Sequence, residues 1–109
     1  MAYDEGLSQR IREILTDQSG VVEKKMFGGL AFMINGHMSV GVIKTDLMVR
    51  TGPNGYEDAL SQPHARPMDF TGKPLKGFVY VDEKGYESDE GLNQWVQRGV
   101  SHALSLPPK

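Results

Sequence analysis

Apolar and polar residues alternate along much of the chain between residues 24 and 51, which is the pattern of an antiparallel β-meander. The Asn35-Gly36 pair in its middle predicts a two-residue hairpin turn, because such a turn needs positive φ at both central positions. A second tight turn at Lys44-Thr45 adds another strand. With Phe32 opposite Ser39, one face of the predicted meander is entirely apolar and forms the core face: Ala31, Met33, Met38, Val40, Val42, Leu47 and Val49.

The other face of the predicted meander mixes bulky, small and polar side chains. In this register Phe32 lies beside Ser39, and the charged Arg50 ends the last strand. Two interpretations of this face stay open. Either a later segment of the chain covers it, which we favour, or it is a partly exposed apolar platform for a partner.

Two helices are predicted before and after the meander. Residues 4–17 carry apolar side chains at helical spacing, and Asp4 is a suitable cap for the start of that helix. Asn54 can cap a short second helix over residues 55–61, which Pro63 prevents from continuing. Each helix has one apolar side, as expected for packing against a sheet.

A last helix is predicted near residues 89–104, with Ser88 or Asp89 as its cap. Gly99 inside this helix indicates a close approach to the sheet, since glycine there costs about 1 kcal/mol relative to alanine. The predicted buried stripe consists of Leu92, Trp95, Val96, Gly99, Ala103 and Leu104.

The fold class that follows is α+β. We expect an antiparallel β-sheet, made of the meander around residues 21–51 plus strand 78–82, flanked by N- and C-terminal helices. The first strand would run from Val21 to Phe27, and residues 83–85 would form a turn. With 109 residues, the chain is expected to form a single domain over residues 1–109.

Residues 62–77 are predicted to be a long loop, since they contain three prolines and two glycines. Loops longer than about 12 residues in compact domains are often functional, so this segment is the first candidate for a binding site. We expect Asp69 in the loop to pair with Arg50 on the mixed face. The candidate partner- or ligand-binding residues are Arg50, His64, Arg66, Asp69, Phe70 and Lys73.

The amino-acid composition argues against several classes of protein. The net charge of −2 offers no overall positive field for nucleic acid, and the absence of cysteine excludes disulfides and thiolate chemistry. The first residues do not resemble a signal peptide, and no apolar run approaches the ~20 residues that cross a bilayer. A cytoplasmic protein without membrane contact is therefore expected.

No template for catalysis fits the chain. Gly72-Lys73 is not a phosphate-binding loop, because Pro74 occupies the position that needs serine or threonine. The three histidines, His37, His64 and His102, lack the spacing of paired metal ligands. We therefore predict no catalytic residue, no metal site and no cofactor.

Several stretches together resemble one known family. They are the run from Lys25 to Phe32 with its Met-Phe-Gly-Gly core, Asn35-Gly36, Asp46 to Arg50, Arg66 to Lys73, Lys76 to Val81, and Trp95. They are similar to the N-terminal domain of the TfoX/Sxy family of bacterial competence regulators. The resemblance implies an α+β fold and a regulatory role without established catalytic residues. Competence regulators carry a second, C-terminal domain, so this chain is expected to be the stand-alone version.

Three hypotheses for function follow. The first is a non-enzymatic binding or regulatory domain that contacts an unknown protein partner through the mixed face and the 62–77 loop, with a homodimer also allowed. The second is a nucleic-acid-binding accessory domain that uses its basic residues: Lys24, Lys25, Arg50, Arg66, Lys73 and Lys76. The third is a small enzyme or ligand-binding protein with a pocket near the 62–77 loop. We favour the first and expect no sequence-specific DNA binding.

Overall fold

A computed structural model of the protein describes residues 4–26, 28–69, 72 and 75–107, with Met26 described in its backbone alone. The described strands form an antiparallel sheet in the order β1-β2-β3-β4-β6-β5, with helices before and after it, so the predicted α+β class is confirmed. In chain order the elements are α1 (Glu5–Ile14), β1 (Val21–Met26), β2 (Gly29–Ile34), β3 (His37–Ile43), β4 (Asp46–Arg50), α2 (Gly52–Leu60), β5 (Ala65–Pro67), β6 (Phe78–Val81), α3 (Glu83–Tyr86) and α4 (Asp89–Ser105).

Both predicted turns of the meander are confirmed. Asn35 and Gly36 have φ of 53° and 87°, the positive values that a two-residue turn between β2 and β3 requires. Lys44 also has positive φ, at 52°, in the turn between β3 and β4. The pairing across this second turn matches the prediction, with Val42 opposite Leu47.

The predicted register between β2 and β3 is wrong beyond the first two pairs, because β3 contains a bulge. Met33 pairs with Met38, but Phe32 then pairs with Val40, so Ser39 is the extra residue. The Ser39 hydroxyl donates to the Phe32 carbonyl over 2.8 Å. One inserted residue reverses which face each later side chain occupies. The true core face therefore combines Leu30, Phe32 and Ile34 with Val40, Val42, Leu47 and Val49, whereas Ala31, Met33 and Met38 lie on the opposite face.

The main core lies between this face and the helices. Helix α1 contributes Leu7 and Ile11 to this core, and α4 contributes its predicted buried stripe. That stripe is confirmed except at Leu104, whose surface is 49% exposed. Val100 is buried although the prediction omits it. At Gly99 a methyl group would lie 2.2 Å from the Ser39 carbonyl oxygen, so the expected close approach of α4 to the sheet is confirmed.

The opposite face of the sheet carries a second, smaller core. Met68, from the 62–77 segment, is 1% exposed and clusters there with Ala31, Met38, Met48 and Tyr80. A later segment does cover this face, as favoured from the sequence, but from β2 the face presents Ala31 and Met33 where the prediction placed Phe32. This face also contains the partly buried Met33, Ile43 and Phe78.

Two helix boundaries differ from prediction. α1 ends at Ile14, with Leu15 as its C-cap, before the expected residue 17. α2 begins at Gly52 after Thr51, earlier than the expected cap Asn54. The earlier start is favoured by Pro53, because a proline in the first turn removes an N–H that would have no helical partner.

The segments around the last strand also need correction. The 62–77 segment is not entirely loop, since β5 within it pairs with β6 at the edge of the sheet. A short helix, α3, replaces the turn expected at residues 83–85. β1 ends at Met26, and the Phe27 end of the predicted first strand lies outside the described residues.

Candidate functional site

The residues predicted as a site do not form one cluster. Arg50 lies at the end of β4, with its guanidinium carbon 5.6 Å from the centre of the Phe78 ring. The expected ion pair between Arg50 and Asp69 is wrong, because no such contact exists between these two described residues. Arg50 is directly opposite Phe78 in the pairing of β4 with β6, so the aromatic ring is the nearer neighbour.

Arg66 and Asp69 lie near Tyr80, on the sheet face away from the helices. The Arg66 Nη2 atom is 2.7 Å from Asp46 Oδ2, and its guanidinium lies 5.0 Å from the centre of the Tyr80 ring. Burial raises the pKa of Tyr80, and the charges of Asp46 and Asp69 add to that effect. The cation of Arg66 is thus already engaged within the fold. Phe70 and Lys73 lie outside the described residues.

His64 is separated from these residues and lies on the helix side of the sheet. Its φ is 69°, a left-handed conformation that is uncommon outside glycine and often marks a functional site. Its Nδ1 atom is 3.4 Å from Asp82 Oδ1, but this buried oxygen has no hydrogen-bond partner in the described part of the chain. The Asp82 amide donates to the His64 carbonyl over 3.1 Å, which holds the two residues together.

A wide polar cavity runs between the start of α2 and the outward side of α4. It has a volume of about 760 Å³. Asn93, Gln97 and Ser101 follow one another at a spacing of four residues, so α4 presents them on a single side. The lining comprises Thr51, Asn54, Gly55, Asn93, Gln94, Gln97, Arg98, Ser101, His102 and Ser105.

A smaller pocket of about 210 Å³ lies at the α3 end of this cavity. We call it the Trp95 pocket, and its lining includes Trp95, His64, Lys84 and Arg98. Gly85 allows α3 to pack closely here, because a methyl group there would lie 2.4 Å from Val81 Cγ1 and 3.0 Å from His64 Cβ. Gln94 and Arg98 line both cavities, so the two form one continuous surface, the α4 groove.

Arg98 occupies the middle of the α4 groove. Its guanidinium stacks on the Trp95 ring, 5.1 Å from the ring centre, and its Nη1 atom lies 2.9 Å from Asp58 Oδ2. Such stacking holds a long side chain in one orientation while leaving some guanidinium N–H groups available. Arg98 is therefore positioned to donate hydrogen bonds into either cavity.

His102 forms the wall of the groove beside α2. Gly52, with φ of 73°, lies directly against the imidazole, since a methyl group there would be 2.4 Å from Cε1. Burial lowers the pKa of His102, and the nearby charges of Arg50 and His37 lower it further. A neutral imidazole at this position accepts one hydrogen bond and donates another.

The chemistry of the groove is that of hydrogen-bonding recognition. Its lining among the described residues includes amides, hydroxyls, Lys84, Arg98 and two histidines, but no aspartate or glutamate. The hydroxyls of Thr51 and Ser105 donate to backbone carbonyls of their own segments. Within the described ranges, no group of three or more His, Asp or Glu side chains is arranged to hold a metal ion.

Among the predicted site residues that the structure describes, only His64 belongs to the α4 groove. The groove itself was missed, although the outward side of α4 carried a signal. Asn93, Gln97 and Ser101 are uncharged polar residues at helical spacing, where an ordinary solvent-exposed helix carries charges.

The fold is that of a small α+β domain with the α4 groove on its surface. The model of the TfoX N-terminal domain family matches residues 13–103 of the 109, and the chain belongs to that family. The resemblance inferred from the sequence is thereby confirmed. No curated protein matches the chain. None of the described helices has the length and apolar character needed to span a membrane.

Proposed function

We propose that this protein is a non-enzymatic regulatory domain of the competence-regulator type, that it works in the bacterial cytoplasm, and that it binds another protein. Family membership supports the competence-regulator-like character. The α4 groove supports the protein-binding part of the proposal. It is a continuous surface of hydrogen-bonding groups that point outward and that the core does not need.

The composition of the groove favours a polypeptide as its ligand. Each backbone peptide group offers one donor and one acceptor, and each asparagine or glutamine side chain offers both as well. Gln97 donates to Asn93 Oδ1 over 3.4 Å, and the donor and acceptor groups that this pair leaves unused are matched to an extended main chain. Pockets for small molecules reach a similar volume, about 300–1,000 Å³, but they enclose most of the ligand, whereas this groove is open.

The surface in this proposal differs from the one expected from the sequence. The mixed face of the sheet is covered by Met68, so little apolar surface remains there for a partner. The 62–77 segment still contributes, through His64 at the edge of the Trp95 pocket.

Site-specific photo-crosslinking in cells that naturally make the protein tests this function. A photoreactive amino acid replaces Gln97 in the groove, and a matched control carries it at Lys25 on β1, at the far edge of the sheet. We expect one protein adduct at Gln97 that is absent at Lys25. The crosslinked protein is then purified and titrated against the wild type and a Gln97→Glu, Ser101→Glu variant.

The double variant should bind that protein at least tenfold more weakly, since two carboxylates replace matched hydrogen-bonding groups. An equal affinity of variant and wild type, or adducts that are the same at both positions, would contradict binding through the groove.

A further inference from the structure

We infer that the Trp95 pocket receives an acidic side chain of the partner, whose main chain runs in extended form along the amide-lined part of the α4 groove. This inference rests on the proposed function and adds the chemical class of the bound segment. It is carried by the charges that line the groove, by the size of the pocket and by the position of Trp95.

The lining of the α4 groove is positive although the whole chain is acidic. The protein has 14 Asp and Glu residues and a net charge of −2. None of these carboxylates is among the described residues that line either cavity, whereas the cations Lys84 and Arg98 are. Lys84 forms no ion pair within the described part of the chain, so its ammonium is available. An acidic segment complements this surface.

The nearest carboxylates leave the pocket's donors available. Asp58 contacts Arg98 through Nη1, which leaves the other guanidinium N–H groups for a second acceptor. Asp82 lies beside His64 Nδ1, on the atom that faces the fold. Lys84 and Arg98 therefore offer charged donors beside one small cavity, the arrangement that a carboxylate needs.

The two cavities differ in size, and each size suits a different part of the bound segment. The Trp95 pocket, at about 210 Å³, is smaller than the ~300–1,000 Å³ of pockets that enclose whole small molecules, so it suits one side chain. The adjoining cavity of about 760 Å³ has room for several residues of main chain. Because Gln94 and Arg98 line both cavities, a segment can pass from one into the other without interruption.

Binding at the pocket can be followed by tryptophan fluorescence, because Trp95 is the single tryptophan of the chain. The full-length protein is titrated with a short blocked peptide that contains two adjacent glutamates, and tryptophan emission is recorded. The same titration uses the peptide with glutamines instead, inorganic phosphate alone, and a short oligothymidine. Two variants change the pocket, Lys84→Gln and His64→Asn, and asparagine is chosen because it tolerates the positive φ of residue 64. The matched control is Lys25→Gln on β1.

We expect a saturable change in emission with the glutamate peptide and binding about tenfold weaker with the glutamine peptide. Lys84→Gln should weaken binding of the glutamate peptide by a similar factor, and Lys25→Gln should leave it unchanged. Circular dichroism and thermal unfolding of each variant establish that it is folded. The inference is overturned if the glutamate peptide gives no saturable change, if both peptides bind equally, or if phosphate or oligothymidine binds as tightly.

The two proposals can fail separately. If Gln97 crosslinks a protein but the peptide titrations show no preference for glutamate, the acidic-segment inference falls and binding through the groove stands. If the peptide binds but no protein adduct forms at Gln97, the proposed function falls.

Discussion

Gly99 determines how closely α4 approaches the sheet. A methyl group at this position would lie 2.2 Å from the Ser39 carbonyl oxygen, and a backbone atom within a sheet does not move aside easily. Overpacking of this kind costs about 1–3 kcal/mol, whereas alanine gains about 1 kcal/mol over glycine within a helix. Because the contact is with the backbone, we expect the cost to exceed the gain.

Gly99→Ala is therefore predicted to lower the free energy of unfolding by up to about 2 kcal/mol. Thermal and urea unfolding would measure it. The matched control is Gly55→Ala in α2, where a methyl group meets its nearest atom, Thr51 Cβ, at 3.7 Å. The control should be as stable as the wild type or more so. A Gly99→Ala variant with unchanged stability would show that α4 can move away without loss.

Tyr86 gives a second prediction, which depends on pH. Its buried hydroxyl donates to the Thr45 carbonyl, and burial, with the charges of Asp4, Glu83 and Asp46, raises its pKa to about 12. The unfolded phenol titrates near 10, so the stabilisation is complete below that pH and is lost as the pH rises towards 12.

Tyr86→Phe should lower the free energy of unfolding by about 1 kcal/mol at neutral pH, where the hydrogen bond is lost. Between about pH 10 and about pH 12 the wild type should lose more stability than the variant, because only the wild type has this phenol to titrate. Urea unfolding of both proteins at each pH measures the difference. Equal losses in the two proteins would show that Tyr86 is not responsible.

At the level of elements, the bulge in β3 explains why some of the fold could be predicted and some could not. The turn at Asn35-Gly36 follows from the chemistry of two adjacent residues, so the sequence predicts it. The bulge at Ser39 depends on the Phe32 carbonyl and on Gly99, 60 positions later in the numbering, so no local pattern marks it. Because the predicted register lacks this one extra residue, Ser39, it places about half of the meander on the wrong face of the sheet.

The same limit applies to the candidate site. Its lining comes from α2, the 62–64 segment, α3 and α4, which meet only after the helices have packed on the sheet. The long loop suggested His64, which lines the groove, whereas Arg50 and Arg66 are engaged by aromatic and carboxylate neighbours that the topology places beside them.

Deleting Ser39 tests the role of the bulge in the register. Every observed pair between β2 and β3, from Ile34 with His37 to Leu30 with Val42, omits Ser39. The shortened strand can therefore keep all its pairs and faces, and we expect a folded protein destabilised by about 1–3 kcal/mol. Deleting Gly41 instead should prevent cooperative unfolding, because Val42 would move to the opposite face. Loss of folding in both deletions would contradict this register.

For the whole molecule, the distribution of charge matters more than its sum. The basic residues considered for nucleic-acid binding are dispersed, with Lys24 and Lys25 on β1 at one edge of the sheet and Arg66 on β5 at the other. Four of the five arginines already form ion pairs, Arg10 with Asp89, Arg12 with Glu23, Arg66 with Asp46 and Arg98 with Asp58. Among the described residues, the arginines therefore add little unpaired positive charge with which one face could follow a phosphate backbone.

The final prediction is that this chain does not bind duplex DNA with useful sequence specificity. A recognition helix needs base-reading side chains and flanking cations that hold it to the phosphates. The α4 groove has amides and Arg98, but α4 begins with Asp89 and Glu90, and Asp58 lies beside Arg98. Any residual binding should therefore be weak and should fall steeply as salt rises. Fluorescence anisotropy with two unrelated duplexes, at low and at physiological salt, measures this. Tight binding to one duplex that persists at physiological salt would favour a nucleic-acid-binding domain over the protein-binding domain proposed above.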